Sequence, residues 1–404
     1  MLSVAEARQR ILDAMSPTPA EEVMLTAAAG RVLAAPVVAR RTQPPADMSA
    51  MDGYAVRAAD VRTVPVALKV VGAAPAGGVH EGAIRPGEAV RIFTGAPVPD
   101  GADTIVIQED TERVAADRVR ILAAPAAGRH IRRAGIDFCA GDTVLEAGTR
   151  LAARHLMLAA AADAPWLRVH RRPRIALLAT GDELVRPGSG SDANSIVQSI
   201  TPALAAFIAA RGGDALDLGI ARDQRESLHE HIAGAAGADL LLTVGGASVG
   251  DYDIVRNGLG EIGLEIDFWK VAQRPGKPLL FGRLGTMPML GLPGNPVSAM
   301  LCAILYLGPA VDRLAGGQPR LPVKIRGRCA EPLAANGPRE AFLRAKIRGE
   351  GDGMPLLSLQ GLQDSSLQAA LARADALIHR PAHAPAAAAG DVLEAYLLDP
   401  QPGA

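Results

Sequence analysis

Apolar residues recur at helical spacing at the start of the chain, where Val4, Ala7, Ile11 and Met15 fall on one face. The stretch Pro17–Pro19 interrupts, and Glu21 to Gly30 reads as a second helix stopped by glycine. From Pro36 to Gly141 the pattern changes to short Val/Ile/Leu runs cut by Gly and Pro: Pro65 to Val71, Ala89 to Phe93, Thr104 to Gln108 and Arg118 to Leu122. These predict short strands. Residues 141–170 return to helix, centred on His155 to Ala162. The reading is a discontinuous helical domain, residues 1–35 and 141–170, with a β-rich insertion domain over 36–140.

Residues 171–316 alternate strands and helices. Strands are expected at Arg174–Ala179, Ala215–Ile220, Asp239–Gly245, Leu264–Val271, Pro278–Phe281 and Met287–Leu292. Helices are expected near Ser195–Arg211, Arg225–Gly237, Asp253–Ile262 and Pro296–Leu314. That order predicts a doubly wound α/β/α domain whose ligands sit beyond the carboxyl ends of the strands. Residues 320–404 return to short strands and read as a C-terminal β-rich domain. The fold class is therefore multidomain α/β and β.

Composition narrows the field. In 404 residues, 42 basic and 43 acidic side chains give a net charge of −1, with no basic stripe, so nucleic acid is not the expected partner. Cys139, Cys302 and Cys329 are far apart and odd in number, which suits a reducing cytoplasm. The apolar helix after Pro296 meets Pro309 and Asp312 before it reaches the roughly 20 residues a membrane span needs, so no membrane association is expected. There is no G-x-G-x-x-G after the first α/β strand and no G-x-x-x-x-G-K-[ST], which argues against nicotinamide dehydrogenases and P-loop NTPases.

Candidate chemistry gathers in the loops. Asp239 to Asp253 begins as a buried strand and breaks into Gly245, Gly246, Ser248, Gly250, Asp251 and Asp253. Glycine amides feeding a helix cradle phosphate, and carboxylates there make sense if Mg²⁺ bridges them to it; the same loop also reads as a tight turn with an N-cap aspartate. Thr180-Gly181-Asp182-Glu183-Leu184 offers a hydroxyl, an amide and a carboxylate, or a helix-start turn. Asp223 stands where the second strand exits, as a ligand or an N-cap. Lys270, Arg274 and Lys277, stiffened by Pro275 and Pro278, read as an anion site or a solvated charge cluster. Pro293-Gly294-Asn295-Pro296 starts the last helix, with proline where a missing N–H costs nothing. In the first half, Asp52 and Thr94 are short polar groups beside glycines, and spacing alone makes each a turn residue.

Six of these pieces, in order, resemble the molybdopterin molybdenumtransferase family, bacterial MoeA and the corresponding domain of gephyrin: Ser49–Ala55, Thr94–Pro97, Thr180–Leu184, Gly245–Asp253, Arg274–Pro278 and Gly291–Ser298. The resemblance implies insertion of molybdate into adenylylated molybdopterin with Mg²⁺ and release of AMP, in a homodimer whose cleft is shared between the α/β domain of one subunit and the β-rich insertion of the other. It carries acidic site roles to Glu183, Asp223 and Asp253, also the implied metal ligands, and a cross-subunit role to Asp52 and Thr94. Lys270, Arg274 and Lys277 become the basic residues for phosphate and molybdate; Pro293 and Pro296 shape the pocket floor. Thr180, Gly181, Gly245, Gly246, Ser248, Gly250 and Asn295 complete the binding set. A separate molybdopterin adenylyltransferase is an implied partner. A non-catalytic molybdopterin-binding scaffold and a molybdopterin adenylyltransferase are the alternatives. Gln363-Asp364-Ser365-Ser366 matches the family's pattern only loosely, which leaves the terminal domain's share in the site open.

Overall fold

The computed structural model describes residues 1–190, 192–245, 254–351 and 353–398. In the α/β domain, β1 (Arg174–Thr180), β2 (Asp214–Ala221), β3 (Leu240–Val244), β4 (Leu264–Lys270), β5 (Pro278–Leu284) and β6 (Met287–Leu292) form one sheet in the order β2-β1-β3-β6-β5-β4. β2, β1, β3 and β6 run parallel; β5 and β4 add an antiparallel edge. The helices are α1 (Ile200–Ala210), α2 (Arg225–Ala233), α3 (Ile254–Glu261) and α4 (Pro296–Leu314).

The unbroken apolar runs of β1 and β3 follow from burial on both faces. Alternate residues divide between two cores. Ile175, Leu177, Leu240, Leu242 and Val244 pack with α1 and α4. Ala176, Leu178 and Leu241 pack with Leu228, Ile232 and Leu259 of α2 and α3. α4 is long and apolar enough to cross a membrane, but 89% of it is buried inside the protein as a core helix. A π-helical turn at Ala303–Leu307 lies in its middle. Its Asp312 is fully buried and takes hydrogen bonds from Arg150 (3.0 Å), Arg211 (2.8 Å) and the Arg320 guanidinium (2.6 Å), tying three segments together.

Three expectations for the first domain are corrected. The N-terminal helix, Val4–Asp13, is present and closed by a Ser3–Glu6 capping box, but Val4, Ala7 and Ile11 pack into the α/β core beside α4 rather than into a helical domain. Glu21 to Gly30 is not a helix. Ala20–Met24 is a strand, paired antiparallel with Trp166–His170, and a short 3₁₀ turn follows at Leu25–Ala27. Helix in 141–170 is confined to Ala153–Ala161, with a strand at Thr143–Leu145 before it. The small domain is thus mixed, with Leu33, Leu145, Leu151, Leu167 and Val169 at its core. Its strands satisfy their backbone groups through partners remote in sequence, which no local periodicity reports.

The insertion carries a six-stranded sheet ordered 104–107, 53–56, 88–92, 66–74, 118–121, 111–115. The strand Gly53–Val56, second from one edge, is wholly buried. A Cβ on Gly53 would stand 1.9 Å from the Val106 carbonyl oxygen, so only glycine fits that register. The terminal domain forms short strands, as expected. Glu340–Gly351 pairs with both Met354–Leu359 and Ala376–Arg380, closing a ring completed by Lys324–Cys329 and Val392–Leu397. Gln273–Arg274 pairs with Glu340–Ala341 and joins this ring to the α/β domain.

Candidate functional site

The carboxyl ends of β1, β3 and β6 open onto a cleft of about 650 Å³, where the parallel topology places ligands. Thr180, Gly181, Glu183, Asp223 and Gly245 line one side. Gly245 has φ +91°, and a Cβ there would lie 2.7 Å from the Thr180 carbonyl oxygen and 3.1 Å from its hydroxyl. Glycine is required for the β1 and β3 loops to approach this closely. Thr180 is 4% exposed and its Oγ1 finds no hydrogen-bond partner among the described residues. A buried hydroxyl without a partner calls for an explanation, and this one stands beside the Gly245 cradle at the cleft.

The acidic groups are set by neighbouring turns. A Cβ on Gly181 would stand 2.7 Å from the Glu183 carboxylate, so that carboxylate folds back over the glycine. The Asp223 amide donates to the Asp182 carboxylate (3.1 Å), and Arg222 donates to the Asp182 carbonyl (2.7 Å), which ties the β2 loop to the β1 loop. Shielding from solvent first, then the charges of Asp182 and Glu183, push the Asp223 carboxyl above the ordinary carboxylate range. Crowded carboxylates of this kind are relieved by a cation. Among the described residues, no three His, Cys, Asp or Glu side chains gather closely enough to hold a metal by themselves. One or two carboxylates plus ligand phosphate is how Mg²⁺ is usually held, so Glu183 and Asp223 fit that ion.

Pro293, Gly294, Asn295 and Pro296 continue the lining beside Gly245, a Cβ on Gly294 standing 3.7 Å from the Gly245 Cα. Pro296 opens α4, yet the Asn295 side chain makes no capping bond. Its Nδ2 donates to Ser365 Oγ (3.0 Å), and the Val297 amide donates to the Ser365 carbonyl (3.1 Å). Ser366 and Gln368 then complete the lining. The terminal domain therefore supplies part of the cleft of its own chain. Arg344, 2% exposed, holds that loop by donating to the carbonyls of Leu362 (2.6 Å) and Asp364 (2.7 Å). Arg344 escaped sequence reasoning because nothing in a strand that also carries Lys346 and Arg348 announces which cation will be buried. The loose match over Gln363–Ser366 was the available signal for its loop.

The remaining candidates lie elsewhere. Lys270 sits over the Trp269 ring, with Met1, Leu2 and Arg10 around the same depression. Arg274 is exposed and Lys277 half-buried on the loop beside it; none of the three cations lines the cleft. Asp52 and Thr94 meet, as the pairing of Gly53 with Ile92 dictates. The Thr94 amide and hydroxyl each donate to Asp52 at 2.8 Å and hold its carboxyl below the ordinary range. Neither lines the cleft of its own chain. Gly246, Ser248, Gly250, Asp251 and Asp253 lie outside the described residues.

Comparison with known proteins matches this architecture region by region. Residues 2–162 match the MoeA N-terminal region (domains I and II), 176–313 a probable molybdopterin binding domain, and 326–398 the MoeA C-terminal region (domain IV). Fold and cleft thus define a multidomain protein built around a domain of the molybdopterin-binding type. A molybdopterin molybdenumtransferase of Nostoc is 40% identical over 82% of this chain and 78% of its own length. Molybdopterin molybdenumtransferase 1 of Mycobacterium tuberculosis is 32% identical over 98% and 99%. The solved structure of a molybdopterin biosynthesis MoeA protein from Pyrococcus horikoshii superposes with a TM-score of 0.85 at 29% identity, covering 99% of this chain and 100% of that one. The chain belongs to the molybdopterin molybdenumtransferase (MoeA) family.

Proposed function

We propose that the protein is a Mg²⁺-dependent molybdopterin molybdenumtransferase, which joins molybdate to adenylylated molybdopterin and releases AMP. The observation that carries this reading is the convergence of the Glu183 and Asp223 carboxylates with the unpartnered Thr180 hydroxyl and the Gly245 cradle in one cleft. Bound Mg²⁺ would supply charge neutralisation on the phosphate groups. Glu183 and Asp223 hold that charge in place, and the Thr180 hydroxyl donates to a phosphate oxygen. The Pro293–Pro296 turn is the rigid wall that keeps the ligand against them. Lys270, Arg274 and Lys277, basic groups outside the cleft itself, would draw molybdate toward the protein.

The working unit is a homodimer in the cytoplasm. Asp52 and Thr94 form an ordered polar pair outside their own chain's cleft, which supports their delivery to the partner's. A molybdopterin adenylyltransferase supplies the adenylylated substrate.

The test is to incubate purified protein with adenylylated molybdopterin, molybdate and Mg²⁺ and to follow AMP chromatographically. AMP release that stops with EDTA or with Glu183→Gln is expected. Binding without release would identify a scaffold; consumption of ATP with unmodified molybdopterin would identify an adenylyltransferase.

A further inference from the structure

Beyond its polar end the cleft has an aliphatic one, formed by Leu184, Ile196 and Val197. These residues sit on a two-stranded parallel arm, Leu184–Val185 beside Ile196–Val197, in the register Leu184–Ile196 and Val185–Val197. The arm is firmly held. Ile196 N donates to the Glu183 carbonyl (2.7 Å) and Gln198 N to the Val185 carbonyl (2.8 Å). The buried Gln198 side chain accepts from Ile200 N (2.7 Å) and so fastens the arm to the start of α1. Ile196 is nevertheless 58% exposed and Val197 44%.

Register partners on adjacent strands stand side by side, about 4.8 Å apart. Leu184 and Ile196 therefore make a flat aliphatic shelf, and Leu184 follows directly on Glu183, so shelf and acidic end share one strand. We infer that this shelf binds the face of a planar heteroaromatic ring whose phosphate lies at the Thr180–Gly245 end. The inference rests on the proposed function, since adenylylated molybdopterin carries two such rings, adenine and pterin. Among the described residues lining the cleft none is aromatic, and the shelf, together with Val244, Ile200, Pro293 and Pro296, is the apolar surface that a ring entering it meets. A second protein chain is a poor occupant, because two exposed side chains fall far short of the roughly 800 Å² per partner that a stable interface buries.

The experiment compares the wild-type protein with Ile196→Asn, on the shelf, and Val197→Asn, on the other face of the same strand, in Mg²⁺, by calorimetric titration with AMP, with a pterin phosphate monoester and with inorganic phosphate, the effect being expected of Ile196→Asn. Both side chains are exposed, so folding is expected to survive, and phosphate binding reports that the polar end is intact. The expected result is a loss of about tenfold in affinity for one ring-bearing ligand with phosphate unchanged, the scale of one apolar side chain's contact. Loss for AMP alone assigns the shelf to adenine; loss for the pterin alone assigns it to pterin. Equal binding of both ligands by wild type and variants overturns the shelf and leaves the proposed function standing. A shift in oligomeric state with unchanged ligand affinity overturns it too. Failure of the wild type to bind either ring ligand sinks the proposed function and the shelf together.

Discussion

Thr180→Val separates readiness for a ligand from ordinary packing. Among the described residues the buried Thr180 hydroxyl has no partner, and such a group costs about 1–3 kcal/mol. Valine keeps the shape and the β-branch while removing the oxygen. The variant should therefore be more stable than wild type by about 1 kcal/mol, seen as a rise of roughly 2–4 °C in the melting temperature. Binding should move the other way. A hydrogen bond to a charged phosphate is worth about 1.5–3 kcal/mol, so affinity for AMP should fall about 10- to 100-fold. Thr243 is the internal control. It lies on the adjacent strand β3, fully buried, with an equally unpartnered hydroxyl, but does not line the cleft. Thr243→Val should gain similar stability with AMP binding unchanged. The assays are differential scanning calorimetry without ligand and titration with AMP and Mg²⁺. Destabilisation by Thr180→Val would mean that the hydroxyl already has a partner, and equal AMP binding by both variants would refute its role as a donor.

Four more outcomes are expected. Asp312→Asn removes the fully buried carboxylate shared by three arginines; unfolding in urea should show a loss of about 3 kcal/mol, the lower end for a broken buried pair because Arg320 is half-exposed, and a loss under about 1 kcal/mol would contradict it. Because the folded protein holds the Asp223 carboxyl above its ordinary range, the associated stability is complete below about pH 3.9 and declines as pH climbs through the raised value. Asp223→Asn should thus be the more stable protein at pH 7 and equal at pH 3, with Mg²⁺ narrowing the gap; a gap that widens at low pH would reverse the argument. Asp52 has the opposite sign, with stability present above about pH 3.9 and lost as pH falls through its depressed value; Thr94→Val, which keeps the amide donor and deletes the hydroxyl, should raise the Asp52 carboxyl in an NMR titration. Mixing Asp52→Ala with Glu183→Gln subunits should restore AMP release through one intact shared cleft per mixed dimer, and no recovery despite subunit exchange would discard the shared cleft.

Local pattern carried much of the architecture. The two-sided apolar runs of β1 and β3, the strands of the terminal ring and the helix from Pro296 were all legible, because burial on both faces or one leaves a period in the chain. The glycine and proline loops were legible as well. Gly245 and Pro296 are demanded by close approach and helix initiation, which are backbone requirements written in single residues. Residue type alone therefore determined a doubly wound domain with acidic and glycine-bearing loops at its strand ends, and, with motif order added, the family.

Which surface covers which was left to tertiary structure. Ala20–Met24 became a strand because Trp166–His170 offered it hydrogen bonds, and the N-terminal helix joined the α/β core because its apolar face met α4. The terminal domain entered the cleft through Asn295, Val297 and Ser365, held by a buried Arg344 that no periodicity distinguishes from a surface arginine. Thr180 acquired its unsatisfied hydroxyl, and Asp223 its raised carboxyl, only when loops from three strands were brought together. A chain declares the faces it must hide through its own periodicity, whereas the partner that hides them, and the charge each side chain then feels, depend on groups distant along the backbone.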